Sequence, residues 1–268
     1  MKITLLQQDI AWGNPQANQQ AAEMAILNAP KSDLYVLPEM WSTGFATDPK
    51  DVAERELSSL KWMQMMADRM DAAIAGSVAM EESSTVFRNR FYFVKPSCQS
   101  DASLPAEEEG RAEETVSFYD KRHLFTYSGE HLRYTAGKER VVVEWRGVRF
   151  LLQVCYDLRF PVFSRNAAEG DDAYDVALYV ASWPASRRAP WDALLRARAI
   201  ENQCYVCGVN RVGEDPVCQY NGGTAIIDAY GRTTASCPDG EVASITAEID
   251  MERLIAFRKK FPVLGDRD

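Results

Sequence analysis

Residues 149–161 read R-F-L-L-Q-V-C-Y-D-L-R-F-P, and this stretch guides the interpretation of the rest of the chain. Residues 150–154 form a short apolar run, which predicts a buried strand. The run stops at Cys155, and a polar pair then leads to Pro161 and a segment compatible with a helix. A cysteine at a strand-to-helix elbow can be exposed at the edge of a sheet, beside backbone N–H groups. Since a single cysteine is more commonly a small buried hydrophobe, this stretch alone leaves both roles open.

The composition of the 268 residues is that of an ordinary globular protein, with 46% hydrophobic and 26% charged residues. The net charge of -9 argues against a nucleic-acid partner, because phosphate binding needs clustered Lys and Arg. No apolar run approaches the length that spans a bilayer, and residues 7–9 turn polar too early for a signal peptide. Six cysteines without a secretory signal predict reduced thiols, so we expect a cytoplasmic protein that does not bind membranes.

Strands and helices alternate along the whole chain. We predict strands at residues 3–10, 34–37, 72–79, 86–95, 115–121, 141–145, 148–154, 176–181, 204–210, 224–229 and 244–249. We predict helices at residues 15–28, 58–70, 251–260 and from Pro190 onward, the first of them capped by Asn14. Two similar halves without a Gly-rich nucleotide motif indicate layered α/β packing in a single domain that spans residues 1–268. Residues 96–114 are acidic, Ser-rich and poor in apolar side chains, so we expect a surface excursion there.

Three side chains suited to chemistry stand at the ends of predicted strands: Glu39, Lys121 and Cys155. In open α/β sheets, ligands bind beyond the carboxyl ends of the strands. A carboxylate base, a thiol and a fixed positive group that holds an oxyanion are the parts of nucleophilic acyl transfer. Glu130, in a Gly-flanked loop before the predicted hairpin, is a fourth candidate. Each charge taken singly is more often a solvated surface group, so the hypothesis depends on the combination.

Three motifs in this order resemble the signature regions of the nitrilase superfamily of carbon–nitrogen hydrolases. They are L-P-E-M at 37–40, Y-D-K-R-H-L-F at 119–125 and C-Y-D-L-R-F-P at 155–161. Further matching stretches at residues 7–15, 181–184 and 196–202 extend the resemblance over nearly the whole chain. The resemblance implies a four-layer α-β-β-α sandwich of two mixed sheets and a catalytic triad of Glu39, Lys121 and Cys155. It also puts Glu130 in the place of the family's second glutamate.

C-Y-D-L-R-F-P, together with A-S-W-P at 181–184 and R-R-A-P-W at 187–191, further resembles the omega-amidase branch of the family. That branch implies a cysteine-dependent amidohydrolase that releases ammonia from 2-oxoglutaramate and 2-oxosuccinamate through a thioester. It implies no cofactor, and a homodimer in which the sheets of two subunits stack. The alternatives left open are a nitrilase, a carbamoylase, an N-acyltransferase or a catalytically idle binding protein.

The chemistry of such a reaction suggests a role for each residue. Glu39 would take the thiol proton of Cys155, and Lys121 with the backbone N–H of Tyr156 would hold the oxyanion. Glu130 would anchor Lys121 and orient the substrate amide.

The far carboxylate of a 2-oxo acid amide needs a cation, and the available ones are Arg159, Arg187 and Arg188. A surface salt bridge is an equally good role for Arg187 or Arg188, and Arg159 could instead pair with Asp157 to brace the elbow. Two aromatic residues are expected to wall the pocket, although such residues are more often plain core: Phe45 and Trp183.

Cys204-x-x-Cys207 resembles a redox or metal motif. In a strand, however, residues three apart face opposite sides, with Cα atoms about 10 Å apart, beyond disulfide reach. The only two histidines, His123 and His131, have no ligand spacing to a cysteine pair. We therefore predict packing cysteines and no metal site.

Overall fold

The structure is a computed structural model that describes residues 1–50, 52–97 and 115–266. The strands of the first half are β1 (Lys2–Gln7), β2 (Leu34–Val36), β3 (Ala73–Ser83), β4 (Val86–Val94) and β5 (Val116–Asp120). Those of the second half are β6 (Val142–Trp145), β7 (Val148–Val154), β8 (Val176–Ala181), β9 (Tyr205–Asn210), β10 (Val212–Glu214), β11 (Gln219–Asn221), β12 (Ala225–Ile227), β13 (Thr233–Ser236) and β14 (Ala243–Glu248). The α-helices are α1 (Pro15–Asn28), α2 (Ser58–Met70), α3 (Arg188–Glu201) and α4 (Met251–Lys260). The excursion expected at residues 96–114 falls, from residue 98 onward, outside the described residues.

Twelve of these strands form two six-stranded sheets, and β10 pairs with β11 as a separate hairpin. The order is β14-β1-β2-β3-β4-β5 in the first sheet and β13-β12-β9-β8-β7-β6 in the second. Each sheet has three adjacent parallel strands, β1-β2-β3 or β7-β8-β9, and antiparallel neighbours on both sides. Both sheets are therefore mixed.

The hydrophobic side chains form layers above, between and below the sheets. The core between the sheets includes Phe93 of β4 and Phe150 of β7, whose ring centroids lie 5.5 Å apart. Helices α1 and α2 cover the outer face of the first sheet, where Met63 is fully buried. Helix α3 covers the outer face of the second sheet with the buried side chains of Trp191 and Leu195. This arrangement confirms the predicted α-β-β-α sandwich of two mixed sheets.

Several predicted elements are confirmed to the residue. Helices α2 and α4 and strand β8 have the predicted bounds, and β6 and β7 form the predicted hairpin. Its turn residues Arg146 and Gly147 have φ values of 47° and 74°, as a type I′ turn requires. The side chain of Asn14 accepts a hydrogen bond from the N–H of Ala17 at 3.1 Å, which confirms the predicted cap of α1.

Two element predictions are wrong. The helix expected after Pro161 is absent, because Cys155–Arg159 forms a 3₁₀ turn and residues 160–175 form turns and bends. Helix α3 begins at Arg188 rather than at Pro190, since a proline in the first turn lacks only an N–H that has no partner there. Strands β10, β11 and β13 are not predicted from the sequence, because segments of only three or four residues are too short to show a clear period.

The two cysteines of the C-x-x-C stretch are buried free thiols. Cys204 packs in the layer beneath α3, whereas Cys207 packs between the two sheets. These opposite orientations confirm the predicted packing role. In the ranges that the structure describes, no helix is both long enough and apolar enough to cross a membrane.

Candidate active site

Cys155 lies at a sharp elbow at the end of β7. It is the first residue of the 3₁₀ turn Cys155–Arg159, and its φ of 46° lies in the left-handed region. An L-residue in that region costs about 1–2 kcal/mol, and strain of this kind is concentrated at functional sites. The side chain is partly buried and lines a cavity. The predicted elbow is confirmed, with a 3₁₀ turn in place of a helix after it.

Beneath Cys155 lies a buried cluster of three charged side chains. Lys121 follows β5, and its Nζ donates to Oε1 of Glu39 at 2.9 Å. The same Nζ donates to Oε1 and Oε2 of Glu130, at 3.1 and 2.9 Å. All three side chains have no exposed surface. The structure thus brings together the residues predicted at the strand ends, and Glu130 is a buried residue of a 3₁₀ turn rather than a charge on a flexible loop.

The two carboxylates receive further donors that the sequence prediction lacks. Asn89, in the middle of β4, donates through Nδ2 to Oε1 of Glu39 at 2.8 Å and to Oε1 of Glu130 at 3.2 Å. The backbone N–H of Ser182 donates to Oε2 of Glu39 at 2.8 Å, and that of Phe125 to Oε2 of Glu130 at 2.6 Å. Asparagine is depleted in strands, so its position inside β4 is the one signal that could have indicated a special role.

The charges of the cluster act on one another. Burial raises the pKa of the Cys155 thiol, and the carboxylate of Glu39 raises it further while Lys121 opposes the change. Burial also raises the pKa of Glu130, against the effect of Lys121. Burial alone would lower the pKa of Lys121, but the carboxylates of Glu130 and Glu39 outweigh it and raise that pKa. At neutral pH, Lys121 is therefore positively charged, and Cys155 keeps its proton, within hydrogen-bonding reach of Glu39.

Cys155 borders a cavity of about 560 Å³ whose wall includes seven aromatic side chains. All five residues predicted to bind substrate line this cavity: Phe45, Tyr156, Arg159, Trp183 and Arg187. Trp183 is also part of the core beneath α3, so the expected core role and the pocket role both apply to it. The ring of Phe45 covers the cluster, with Nζ of Lys121 5.2 Å from its centroid. The wall residues that the sequence prediction lacks include the acidic side chains of Asp48 and Asp215 and the thiol of Cys218.

The arginines separate into two groups. The guanidinium of Arg159 lies 5.0 Å from the ring centroid of Trp183, and that of Arg187 lies 5.3 Å from the ring centroid of Phe125. Both therefore face the cavity wall. Arg188 instead donates to Asp192 and Asp239, each at 2.8 Å, away from this cavity.

The alternative in which Arg159 pairs with Asp157 is wrong. Within the described residues, Asp157 accepts hydrogen bonds from Tyr119, His123 and Val154, so both of its oxygens are already engaged. Arg159 lies against Trp183.

Comparisons with known proteins identify the family of the chain. The chain matches the carbon-nitrogen hydrolase family over residues 2–259. It is 46% identical over 269 residues to omega-amidase YafV of Yersinia enterocolitica, covering 100% of this chain and 97% of that protein. It is 35% identical over 268 residues to 2-oxoglutaramate amidase of Bacillus subtilis, covering 98% and 96%. A solved structure of a CN-hydrolase superfamily protein from Xanthomonas campestris, with an arsenic adduct in its active site, is 38% identical with a TM-score of 0.88, covering 100% and 97%.

The family model covers residues 2–259, and the relatives match the chain over nearly their full length. The predicted family is therefore confirmed. The chain belongs to the carbon-nitrogen hydrolase family and is a hydrolase of carbon–nitrogen bonds other than peptide bonds.

Proposed function

We propose that the chain is an omega-amidase, which releases ammonia from the ω-amide of small 2-oxo dicarboxylic acids such as 2-oxoglutaramate and 2-oxosuccinamate. The observation that carries the proposal is the position of Cys155 between the buried charge cluster and the cavity. The names of the two amidases reported above support the substrate class. Two guanidinium groups on the cavity wall supply the positive charge that a carboxylate-bearing amide needs.

Acylation begins when the carboxylate of Glu39 takes the thiol proton of Cys155. The sulfur then bonds to the amide carbonyl carbon, and the π electrons of the carbonyl move onto its oxygen. Lys121 and the backbone N–H of Tyr156 hold this oxyanion, and one such donor contributes about 3 kcal/mol to lowering the barrier. When the tetrahedral intermediate collapses, Glu39 returns the proton to the nitrogen, the C–N bond breaks, and ammonia leaves behind a thioester.

Deacylation repeats these steps with water as the nucleophile. Glu39 takes a proton from the water, whose oxygen bonds to the thioester carbon. The oxyanion forms at the same donors, the C–S bond breaks, and the proton returns to the thiol of Cys155. The products are the free dicarboxylic acid and the original enzyme. One carboxylate therefore serves both half-reactions.

The role of Glu130 is to hold Lys121 in place. An ammonium has three protons, and the bonds from Lys121 to the two oxygens of Glu130 can share one of them. A second proton goes to Glu39, which leaves the third for the oxyanion. The carboxylate of Glu130 also offsets the cost of burying the ammonium. This division explains why the cluster contains two glutamates for one lysine.

The experiment that tests this function is a panel of substrates scored for released ammonia. We expect turnover with 2-oxoglutaramate and 2-oxosuccinamate, and little with an aliphatic nitrile or an N-carbamoyl amino acid. Cys155→Ala should eliminate both ammonia release and the mass increment of an acyl-enzyme. Retained ammonia release in that variant, or a preference for the nitrile, would overturn the proposal.

Binding of the far carboxylate is tested with the arginines on the wall. We expect Arg187→Ala to raise KM for 2-oxo acid amides about tenfold and to leave KM for uncharged amides unchanged. Arg159→Ala, tested in parallel, identifies which guanidinium binds the carboxylate. Arg188→Ala is the matched control, because its side chain pairs with acidic residues away from the cavity. Equal effects on charged and uncharged amides would argue against a carboxylate-binding arginine.

We further propose that the enzyme works as a homodimer in the cytoplasm, as the family resemblance implies. A nucleophilic thiol has to stay reduced, which favours a reducing compartment. Sedimentation should give twice the 30.1 kDa of one chain. A mass of a single chain at micromolar concentration would contradict the dimer.

A further inference from the structure

Asp157 connects the carboxyl ends of β5 and β7, which belong to different sheets. Its Oδ1 accepts the backbone N–H of His123 at 3.0 Å and lies 2.8 Å from the ring Nδ1 of the same residue. Its Oδ2 accepts the hydroxyl of Tyr119 at 2.8 Å and the backbone N–H of Val154 at 2.9 Å. The carboxylate is fully buried. A single side chain thus holds two backbone segments of the two sheets together.

One of these segments carries the lysine of the cluster. Lys121 lies between Tyr119 and His123, both of which bind Asp157. The hydroxyl of Tyr119 also accepts the backbone N–H of Arg122 at 3.0 Å. The backbone on either side of Lys121 is therefore bound, directly or through one hydroxyl, to the same carboxylate.

The other segment carries the thiol. Val154 immediately precedes Cys155, whose φ of 46° is a conformation that an L-residue adopts only at a cost. The bond from the N–H of Val154 to Asp157 closes the elbow locally, since Asp157 is the third residue of the 3₁₀ turn. Loss of that bond would leave a strained residue without the contact that holds it.

We propose that Asp157 is a positioning residue that holds the thiol of Cys155 against Glu39 and Lys121. The inference rests on the proposed cysteine-dependent function. A carboxylate suits the position because it accepts only, and its two oxygens meet four donors. An asparagine would offer only one oxygen, and its NH₂ group would take the place of the other. That NH₂ group would face two of the four donors, at least one of them a backbone N–H, which would then lack an acceptor.

The aromatic side chains around His123 extend the arrangement to the cavity wall. The ring of His123 stacks on that of Phe160 with centroids 3.9 Å apart and an interplanar angle of 8°, and its edge meets Phe163 at 5.4 Å. Phe160 in turn packs against Tyr156 at 5.1 Å. The residue whose N–H is proposed to hold the oxyanion is thus part of the same assembly.

The deciding variant is Asp157→Asn, which keeps the size of the side chain. We expect kcat to fall at least 30-fold while KM changes less than threefold, because the cavity wall stays intact. We also expect the pH midpoint for alkylation of Cys155 by iodoacetamide, followed on its peptide by mass spectrometry, to move down. Burial and the Glu39 carboxylate raise the pKa of the Cys155 thiol. A thiol that moves out of the elbow becomes more exposed and lies farther from Glu39, so its pKa falls. Catalysis should therefore weaken while the thiol becomes easier to alkylate.

The matched control is Asp228→Asn. Asp228 is also a buried carboxylate, and it accepts the backbone N–H groups of Tyr230 and Arg232 at 2.9 Å in the turn between β12 and β13. A structural loss alone would lower the melting temperature of both variants. We expect Asp228→Asn to keep the kcat and the alkylation midpoint of the wild type.

The proposal is overturned if Asp157→Asn keeps kcat within threefold, or if its alkylation profile coincides with that of the wild type. Should Asp157→Asn fail to fold, Tyr119→Phe removes one of the four donors to Asp157, together with the acceptor of the Arg122 N–H, and decides by the same two measurements, with an expected fall in kcat of threefold to tenfold. The alkylation profile needs no substrate, so it judges the role of Asp157 even if 2-oxoglutaramate proves not to be hydrolysed. The substrate panel judges the proposed function independently.

Discussion

At the scale of single residues, the site must keep three charged side chains fully buried. Burial of an isolated ammonium or carboxylate costs several kcal/mol, and pairing offsets this only when the remaining donors and acceptors are satisfied. Here Lys121 donates to both glutamates, and Asn89 and two backbone N–H groups also donate to their carboxylate oxygens. Burial and the carboxylate of Glu39 favour the protonated thiol of Cys155, and Glu39 is the group that we propose as the acceptor of its proton.

The charge balance predicts opposite effects of two substitutions on the thiol. The carboxylate of Glu39 raises the pKa of Cys155, so Glu39→Gln should lower the pH midpoint for alkylation by iodoacetamide. Lys121 lowers that pKa, so Lys121→Met should raise the midpoint. Ammonia release should fall at least ~100-fold in both variants, as expected when a base or an oxyanion donor is lost. Glu144→Gln, on the exposed face of β6, should leave both measurements unchanged, and midpoints that move in the same direction would contradict this balance.

The amide of Asn89 is expected to contribute to both stability and rate. Asn89→Ala removes a donor to two carboxylates, and a hydrogen bond to a charged group contributes about 1.5–3 kcal/mol. We expect the free energy of unfolding in urea to fall by about 2 kcal/mol and kcat to fall about tenfold. Asn166→Ala removes a buried amide that bonds Tyr174 and Asn202 elsewhere in the chain, so it should cost similar stability with no loss of kcat. Equal kcat values in the two variants would mean that Asn89 does not contribute to catalysis.

At the scale of elements, the parts of the site that the sequence predicts are those delivered by strand ends. β7 contains an apolar run that stops at Cys155, and β5 is a short strand that ends just before Lys121, so the strand pattern locates both residues. The buried position of Glu130 cannot be read in the same way. A charged residue in a loop is seldom buried unless it is paired, and Glu130 pairs with Lys121. Glu130 lies in a short 3₁₀ turn, which has no periodic sequence signal that could reveal this pairing.

The segment after the elbow illustrates a second limit. Residues 160–175 contain helix-compatible positions, yet tertiary hydrogen bonds determine their path. Asn166 bonds the backbone of Tyr174 and of Asn202, and such side-chain-to-backbone bonds compete with helix formation. These partners lie up to 36 positions away, so no local pattern could reveal them.

The end of β5 depends on a close approach that only glycine permits. A Cβ atom at Gly137 would lie 2.1 Å from the carbonyl oxygen of Asp120, and the N–H of Gly137 donates to the carbonyl oxygen of Lys121 at 3.0 Å. Gly137→Ala therefore has to displace the backbone beside Lys121. We expect a loss of about 1–3 kcal/mol in the free energy of unfolding and at least a tenfold fall in kcat. Gly265→Ala, where a Cβ would meet no atom within 4 Å, should change neither quantity.

At the scale of the whole molecule, the site exists only where the two sheets meet. Glu39 and Lys121 come from the first sheet, whereas Cys155 and Ser182 follow β7 and β8 of the second. The core between the sheets, including the contact of Phe93 with Phe150, therefore sets the distance between the base and the thiol. The same packing buries thiols that have no proposed part in the chemistry. Because these thiols ionise less readily in the folded protein, they make the free energy of unfolding depend on pH.

The free energy of unfolding should fall in alkaline solution, because buried thiols keep protons that the unfolded chain loses. Burial raises the pKa of Cys204 to about 12, whereas a thiol in an unfolded chain ionises near pH 8.5. Above that pH the unfolded chain loses a proton that the folded protein keeps, so ionisation favours unfolding. The resulting slope is about 1.4 kcal/mol per pH unit for one thiol, from about pH 9 until the folded pKa is reached. Below pH 8 this contribution to the pH dependence vanishes.

The test is urea unfolding of wild type and Cys204→Ala between pH 7 and 11 in the presence of a reducing agent. We expect the free energy of unfolding of the variant to fall less steeply with pH, by about 1.4 kcal/mol per unit above pH 9. Val206→Ala, in the same layer beneath α3, should lower stability by a constant amount at every pH, since no titrating group is lost. Parallel curves for Cys204→Ala and wild type would mean that the Cys204 thiol ionises equally in both states, against its full burial.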